Sequence, residues 1–284
     1  METWSDDRVR EAVASQLPHQ RARTITRLGE GEDNVAFELD GELIVRFSKD
    51  PDPASRAARI DAEARLLHSV ARISPVPVPE PVFADPALGC LGYRKLPGTP
   101  LLGLPVPAHA PARLGASIGE LLAAFHAAPL ASLVDVDAQP GSAWLEEAAE
   151  TYAAVAGEVP HAYRPRIEAF LDAPPPGGDG FEPVFSHNDL GIEHVLVDPA
   201  TLAVTGVIDW SDAALCDPAY DFGLLYRDLG PAALDSALRV YGGDGAIMER
   251  AVFYARCSVL EDLAYGIAAY VDKSVAAFDW LFPA

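Results

Sequence analysis

The chain is poor in cysteine, poor in cations and without a long apolar run. Cys90, Cys216 and Cys257 are the only cysteines in 284 residues. Odd in number and widely spaced, they argue against a disulfide framework and a zinc site and read as small core residues. Lysine and arginine total 21 against 42 aspartates and glutamates, a formal charge of -21. A field of that sign repels nucleic acid and anionic lipid and attracts cations. It argues against a nucleic-acid partner and fits a cationic small-molecule substrate, although acidity also serves solubility alone. No apolar stretch approaches about 18 residues without a charge, and "METWSDDRVREAV" has no basic region followed by an apolar run. The expectation is a cytoplasmic protein with no membrane association, monomeric or weakly dimeric.

What is abundant is core-forming material. Hydrophobic residues make up 50% of the chain, enough for one large domain or two lobes. A Ser-Asp-Asp capping signal opens a helix over 5–16. "TITRL", "NVAFEL" and "ELIVRF" then read as three antiparallel strands, the last two joined by the hairpin signal Asp40-Gly41. "DPASRAARIDAEARLLHSVA" places Ile60, Ala64, Leu67 and Val70 on one helical face. The prolines of "SPVPVPEPV" force an extended connector, and "GCLGYRKLPGTPL" reads as a further strand ending at Pro97-Gly98.

From about residue 107 the pattern turns helical, beginning with "ARLGASIGELLAAFHAAPL", with a second helical region over roughly 143–172 and helices again from about 219 onward. "PVFSHNDLGIEHVLVD" and "AVTGVIDWSD" interrupt it as a hairpin turning at Pro199-Ala200, and Asp198 reads as a turn residue. The expected class is α+β, with a small antiparallel-sheet lobe over 1–96 and a larger, mostly helical lobe over 97–284.

Chemistry concentrates in three residues at the edges of strand-like runs: Asp189, His194 and Asp209. A carboxylate beside a loop can take a hydroxyl proton. An imidazole with a second carboxylate can hold a divalent metal at nucleotide phosphates. The same letters also suit a metallohydrolase that uses His187, Asp189, His194 and Asp209 as ligands, a reading that leaves Arg46, Glu63 and the glycine-rich hairpin without work.

"HNDLGIEHVLVD" followed by "VTGVIDWSDAALCDPAYDF" resembles the aminoglycoside and macrolide phosphotransferases, distant relatives of the protein kinases. The resemblance implies a bilobal, protein-kinase-like fold. It makes Asp189 the catalytic base or the group that orients the acceptor hydroxyl, with His187 supporting its loop. His194 and Asp209 become metal ligands for Mg2+, and Asp217 and Asp221 of "DPAYDF" a buttress. Most of the family has asparagine where His194 stands; histidine there is similar to the branches acting on the 2''-hydroxyl of aminoglycosides and on macrolides.

In "LGEGEDNVAFEL", Gly29, Gly31 and Asn34 resemble the family's nucleotide loop. Arg46 takes the place of the phosphate-binding lysine, Glu63 that of its helix partner, and Lys95 and Leu96 lie in the segment that reads the base of ATP or GTP. For a cationic acceptor the candidates are Asp212, Glu261 and Asp262, while His126 reads as a structural, hydrogen-bonded histidine. The implied activity is transfer of the γ-phosphate of ATP or GTP to an antibiotic hydroxyl, foremost of an aminoglycoside. The alternatives are a macrolide or peptide-antibiotic kinase, a kinase for choline, homoserine or a sugar amine, and a non-catalytic nucleotide-binding protein.

Overall fold

A computed structural model describes residues 4–20, 22–31, 33–177, 180–243 and 245–283. Two compact units emerge, Met1–Arg72 with Pro77–Leu96, and Ile73–Val76 with Pro97–Ala284.

The first unit opens with helix α1 (Asp6–Gln16), whose first turn is capped by the Ser5 hydroxyl accepting from the Arg8 N–H at 3.4 Å. Strands β1 (Ile25–Glu30), β2 (Asn34–Leu39) and β3 (Leu43–Ser48) follow. The β2–β3 turn puts Asp40 and Gly41 at φ 53° and 75°, the left-handed pair that a two-residue hairpin requires. Helix α2 (Pro53–Ile73), β4 (Pro81–Asp85) and β5 (Cys90–Arg94) complete an antiparallel sheet of order β1-β2-β3-β5-β4.

Side-chain alternation along β2 and β3 packs Val35, Phe37, Leu39, Leu43, Val45 and Phe47 with Val9, Ala12 and Val13 of α1. The same alternation turns Ala36 and Arg46, cross-strand partners, to the opposite face. One departure from the sequence reading lies at Pro81. The proline-rich connector ends two residues earlier than expected and becomes β4, an edge strand whose first position tolerates a proline.

The second unit begins with β6 (Thr99–Pro100) and helices α3 (Ala110–His126), α4 (Gly141–Val155) and α5 (Arg164–Leu171). Next come β7 (Val184–Ser186), β8 (Val195–Val197), β9 (Val204–Val207) and β10 (Ala214–Cys216), then α6 (Ala219–Leu229), α7 (Pro231–Tyr241), α8 (Gly245–Ala264) and α9 (Ala268–Leu281). The expected single hairpin is in fact two small sheets. β8 pairs with β9 and with the distant β6, while β7 pairs with β10.

Gly115 and Gly119 of α3 allow backbone contact with α7. A Cβ at either position would stand 2.1 or 2.5 Å from the carbonyl oxygen of Ala233 or Ala237. Phe125, Phe185 and Trp210 form the aromatic centre behind the β7–β8 loop, with Phe125 and Trp210 edge to face at 4.9 Å. Among the described residues no helix is long and apolar enough to cross a membrane.

Candidate active site

In the first unit, Arg46 on β3 and Glu63 on α2 meet, Nη1 donating to Oε1 at 3.0 Å, with side chains 12% and 16% exposed. Gly31 donates its N–H to the Asn34 carbonyl, and Lys49 Nζ holds the Gly31 carbonyl at 2.9 Å. A Cβ at Gly29 or Gly31 would meet nothing within 4 Å, so this turn has an open flank. Lys95 donates its backbone N–H to the Glu42 carbonyl, and its exposed ammonium pairs with Glu38. Leu96, half-buried, ends the unit.

In the second unit, the β7–β8 loop is built on a buried carboxylate. Asp221, fully buried near the start of α6, accepts the N–H groups of His187 at 3.0 Å and Asn188 at 3.1 Å. Burial pushes its carboxyl up to about 7, against the pull of these backbone donors. Asn188 is thereby held at φ 63°, left-handed backbone that asparagine tolerates better than most residues, and Asp189 follows it. Asp217 anchors the same helix. It caps Ala219 N–H at 2.9 Å, takes a two-pronged hydrogen bond from Arg250 and accepts from the Tyr254 hydroxyl.

His187 is fully buried, its ring 4.5 Å from that of Trp210. Its Nε2 donates to the Ile208 carbonyl at 3.0 Å, and burial holds its pKa down to about 3, so the ring is neutral. Ile208 in turn donates its N–H to the His194 carbonyl at 3.0 Å, extending the β8–β9 ladder. This ladder brings together His194 and Asp209, which the sequence separates.

His194 Nδ1 lies 2.8 Å from the Asp189 carbonyl, an acceptor only, so that nitrogen carries the proton. Nε2 is turned toward Asp209, whose Oδ2 stands 3.9 Å away, and offers a lone pair there when it gives up its proton. Asp209, at φ 62°, precedes the buried Trp210, which fixes the turn and leaves Asp209 42% exposed.

The Asp189 carboxyl, 43% exposed, lies 3.3 Å from His194 Nδ1. Loss of water raises its pKa, and Glu193 and Asp212 raise it further, while His194 and Arg227 oppose them. At His194 burial works against the charged ring, but Asp189, Asp209 and Glu193 outweigh it and the pKa rises. A cluster so rich in negative charge binds either protons or a metal cation. Oxygen donors with one imidazole nitrogen form a set that fits a divalent ion. Asp189, Glu193 and His194 each bring a ligand atom within 4.8 Å of the others.

Glu193 escaped the sequence reading, and its neighbour His194 was the available signal. Of the acceptor candidates, Asp212 and Glu261 are exposed. Asp262 is corrected: at 5% exposure it turns inward, with Oδ2 3.1 Å from Arg227 Nε and 3.0 Å from Lys273 Nζ. Two cations in the interior hold it there, so it is no surface for an acceptor. His126 accepts its structural reading, with Nδ1 3.0 Å from the Tyr241 hydroxyl.

Known proteins share this architecture. The solved GDP complex of wild-type aminoglycoside 2'-phosphotransferase-IIIa superposes with a TM-score of 0.71 over 97% of this chain and 98% of that one, at 21% identity. The apoenzyme of macrolide 2'-phosphotransferase MphH from Brachybacterium faecium gives 0.67 over 98% and 99%, at 25% identity. An aminoglycoside 3'-phosphotransferase of Streptomyces fradiae is 37% identical over 79 residues, a stretch that spans 25% of this chain and only 30% of that relative's length. The family model described as "Phosphotransferase enzyme family" matches residues 24–254. With most of the chain inside that match, and with the α+β fold of the antibiotic kinases, the chain belongs to the phosphotransferase enzyme family.

Proposed function

We propose that the protein is a small-molecule kinase that transfers the γ-phosphoryl group of ATP or GTP to a hydroxyl of an aminoglycoside antibiotic. The observation that carries this reading is the disposition of Asp189, His194 and Asp209. One carboxylate of raised proton affinity sits on a rigid loop, beside an imidazole lone pair that faces a second carboxylate 3.9 Å away.

Asp189 orients the acceptor hydroxyl and takes its proton as the oxygen attacks phosphorus. His194 and Asp209 would hold Mg2+, whose charge would offset that of the phosphate oxygens. His187, Asp217 and Asp221 keep the loop rigid, so that the acceptor oxygen meets the phosphorus without a search over conformations. In the first unit, Arg46, braced by Glu63, offers a forked donor to nucleotide phosphates, and the open flank at Gly29 and Gly31, with Asn34 beside it, leaves room for those phosphates to approach the backbone. Lys95 and Leu96 contribute the segment that recognises the base. Asp212 and Glu261 present carboxylates to the ammonium groups of the acceptor, in keeping with a net charge of -21.

Macrolides are the second acceptor class. Tyr265, 68% exposed, and Ile267, 55% exposed, on the α8–α9 turn are large apolar groups in solvent, which suit a lactone ring better than a polyamine. One experiment tests both: release of nucleoside diphosphate from MgATP and MgGTP in the presence of kanamycin, a macrolide or an amino-alcohol metabolite. Kanamycin-dependent release supports the first reading, macrolide-dependent release the second. Release with none of them, alongside tight nucleotide binding, leaves a nucleotide-binding protein without transfer.

A further inference from the structure

One carboxylate of the β7–β8 loop is given neither the proton transfer nor the metal-holding role in the function proposed above. Glu193, 14% exposed, folds back over its own loop. A Cβ added at Gly191 would lie 2.4 Å from Glu193 Oε1 and 2.7 Å from Oε2. Gly191 has no left-handed φ, so what the glycine provides here is room for that carboxylate.

Lys273 reaches the same group from α9. Its Nζ lies 3.4 Å from Glu193 Oε2, 3.0 Å from Asp228 Oδ1 and 3.0 Å from Asp262 Oδ2. An ammonium has three N–H donors, and three carboxylates surround this one. Arg227 completes the cluster, Nε 2.7 Å from Asp228 Oδ1 and 3.1 Å from Asp262 Oδ2. Asp228 Oδ2 also accepts the Ile192 N–H at 3.1 Å. The loop is therefore gripped at two successive residues, by its backbone at Ile192 and by its side chain at Glu193.

Desolvation offsets much of the attraction within buried ionic clusters. What such a cluster does provide is a fixed geometry. Here the fixed group is a carboxylate that brings one ligand atom within 4.8 Å of those of Asp189 and His194.

We infer that Glu193, seated over Gly191 and tied to Lys273, is a positioning residue that holds Asp189 and His194 in their reactive arrangement, so that α9 helps set the turnover of the loop. The inference rests on the phosphotransfer reading of Asp189. Glu193 acts through its two neighbours and does not itself meet the acceptor.

The test uses the full-length protein with MgATP or MgGTP and whichever of kanamycin or a macrolide is turned over. Gly191→Ala keeps every charge, and the atoms nearest its added methyl group are those of the Glu193 carboxylate. It is expected to lower kcat by about 10- to 100-fold, the usual cost of a small misplacement. Nucleotide Kd and acceptor KM should stay within about threefold of wild type, with the thermal midpoint little changed. Glu193→Ala should behave in the same way. The double variant should lose no more than either single one, because the carboxylate displaced by the methyl group is already gone. Lys273→Arg should recover activity that Lys273→Met loses. If Lys273→Met fails to fold, because Asp228 and Asp262 lose a cation, Gly191→Ala still carries the test.

Folded Gly191→Ala and Glu193→Ala proteins with kcat within about twofold of wild type overturn the inference. So do losses that multiply in the double variant. Wild-type protein that transfers phosphate to no acceptor overturns the phosphotransfer reading, and the inference falls with it. A wild-type enzyme that turns over while its variants do so equally well removes the inference alone.

Discussion

Arg46 Nη1 donates to Glu63 Oε1 across 3.0 Å, joining β3 to α2. Both side chains are largely out of water, and a pair in that setting fixes direction more than it adds stability. On the proposed function, its consequence is a guanidinium already aimed at the phosphates of an arriving nucleotide. Arg46→Ala is expected to weaken MgATP or MgGTP binding by about 10- to 100-fold, or 1.4 kcal/mol for each factor of ten. Arg46→Lys recovers only part of this, since an ammonium lacks the fork. Calorimetric titration measures both, and a folded Arg46→Ala protein with wild-type affinity removes Arg46 from the phosphate site.

Asp189→Asn keeps the size of the side chain and its polar contacts but cannot take a proton. The expected result is a fall in kcat of about 10²- to 10⁴-fold, the contribution of a positioned general base. Nucleotide affinity should change little, because the proposed function gives Asp189 the acceptor and not the donor. Steady-state kinetics beside calorimetry separate the two effects. A folded variant that keeps more than about a tenth of wild-type kcat takes the proton-transfer role away from this residue.

The parts of this fold that are legible in the sequence are those where a local rule decides. The alternation in "NVAFEL" and "LIVRF" and the Asp40-Gly41 turn are short-range signals, and β2 and β3 follow them. The three-residue strands β7, β8 and β10 are too short to show a period. Their pairings also span the chain, as when Thr99 meets Val197, so only tertiary packing reveals them. The site divides in the same way. Asp189, His194 and Asp209 stand at strand edges and are visible as a motif. Arg227, Asp228, Asp262 and Lys273 lie on helices, where a charge ordinarily marks the solvated face, and it is the packing of α6, α8 and α9 that buries them. The run "LLYRDLG", with a charged pair enclosed by apolar residues, was the one local sign.

In the proposed metal site, His194 separates two ways of holding the ion. His194→Ala removes the Nε2 lone pair that faces Asp209, and the Mg2+ concentration for half-maximal rate should rise by about tenfold or more, the scale on which metal-site losses are felt. His194→Asn supplies an amide oxygen, a donor that magnesium accepts more readily than nitrogen. That variant should need no more Mg2+ than wild type. Rates measured against Mg2+ at saturating nucleotide read the difference, and an unchanged requirement in His194→Ala sets His194 outside the metal site.

His126 gives the stability of the fold a pH dependence of known sign. Burial lowers its pKa to about 4, with a weaker opposing effect from Asp217. In the unfolded chain the ring titrates near the ordinary histidine value of about 6.5. Between those two values the unfolded state binds a proton that the folded state refuses, so stability is full above about 6.5 and is lost as the pH falls toward 4. The loss from this residue between pH 7.5 and 5 is on the order of 1–2 kcal/mol. Buried, neutral His187 adds to the trend in the same direction. His126→Gln keeps a polar partner for the Tyr241 hydroxyl without a titrating ring, so its urea midpoint should fall less steeply on acidification than that of wild type. Equal slopes for the two proteins would mean that His126 titrates alike in the folded and unfolded states, and that the ring is open to water rather than enclosed by Phe222, Tyr241 and Ser186.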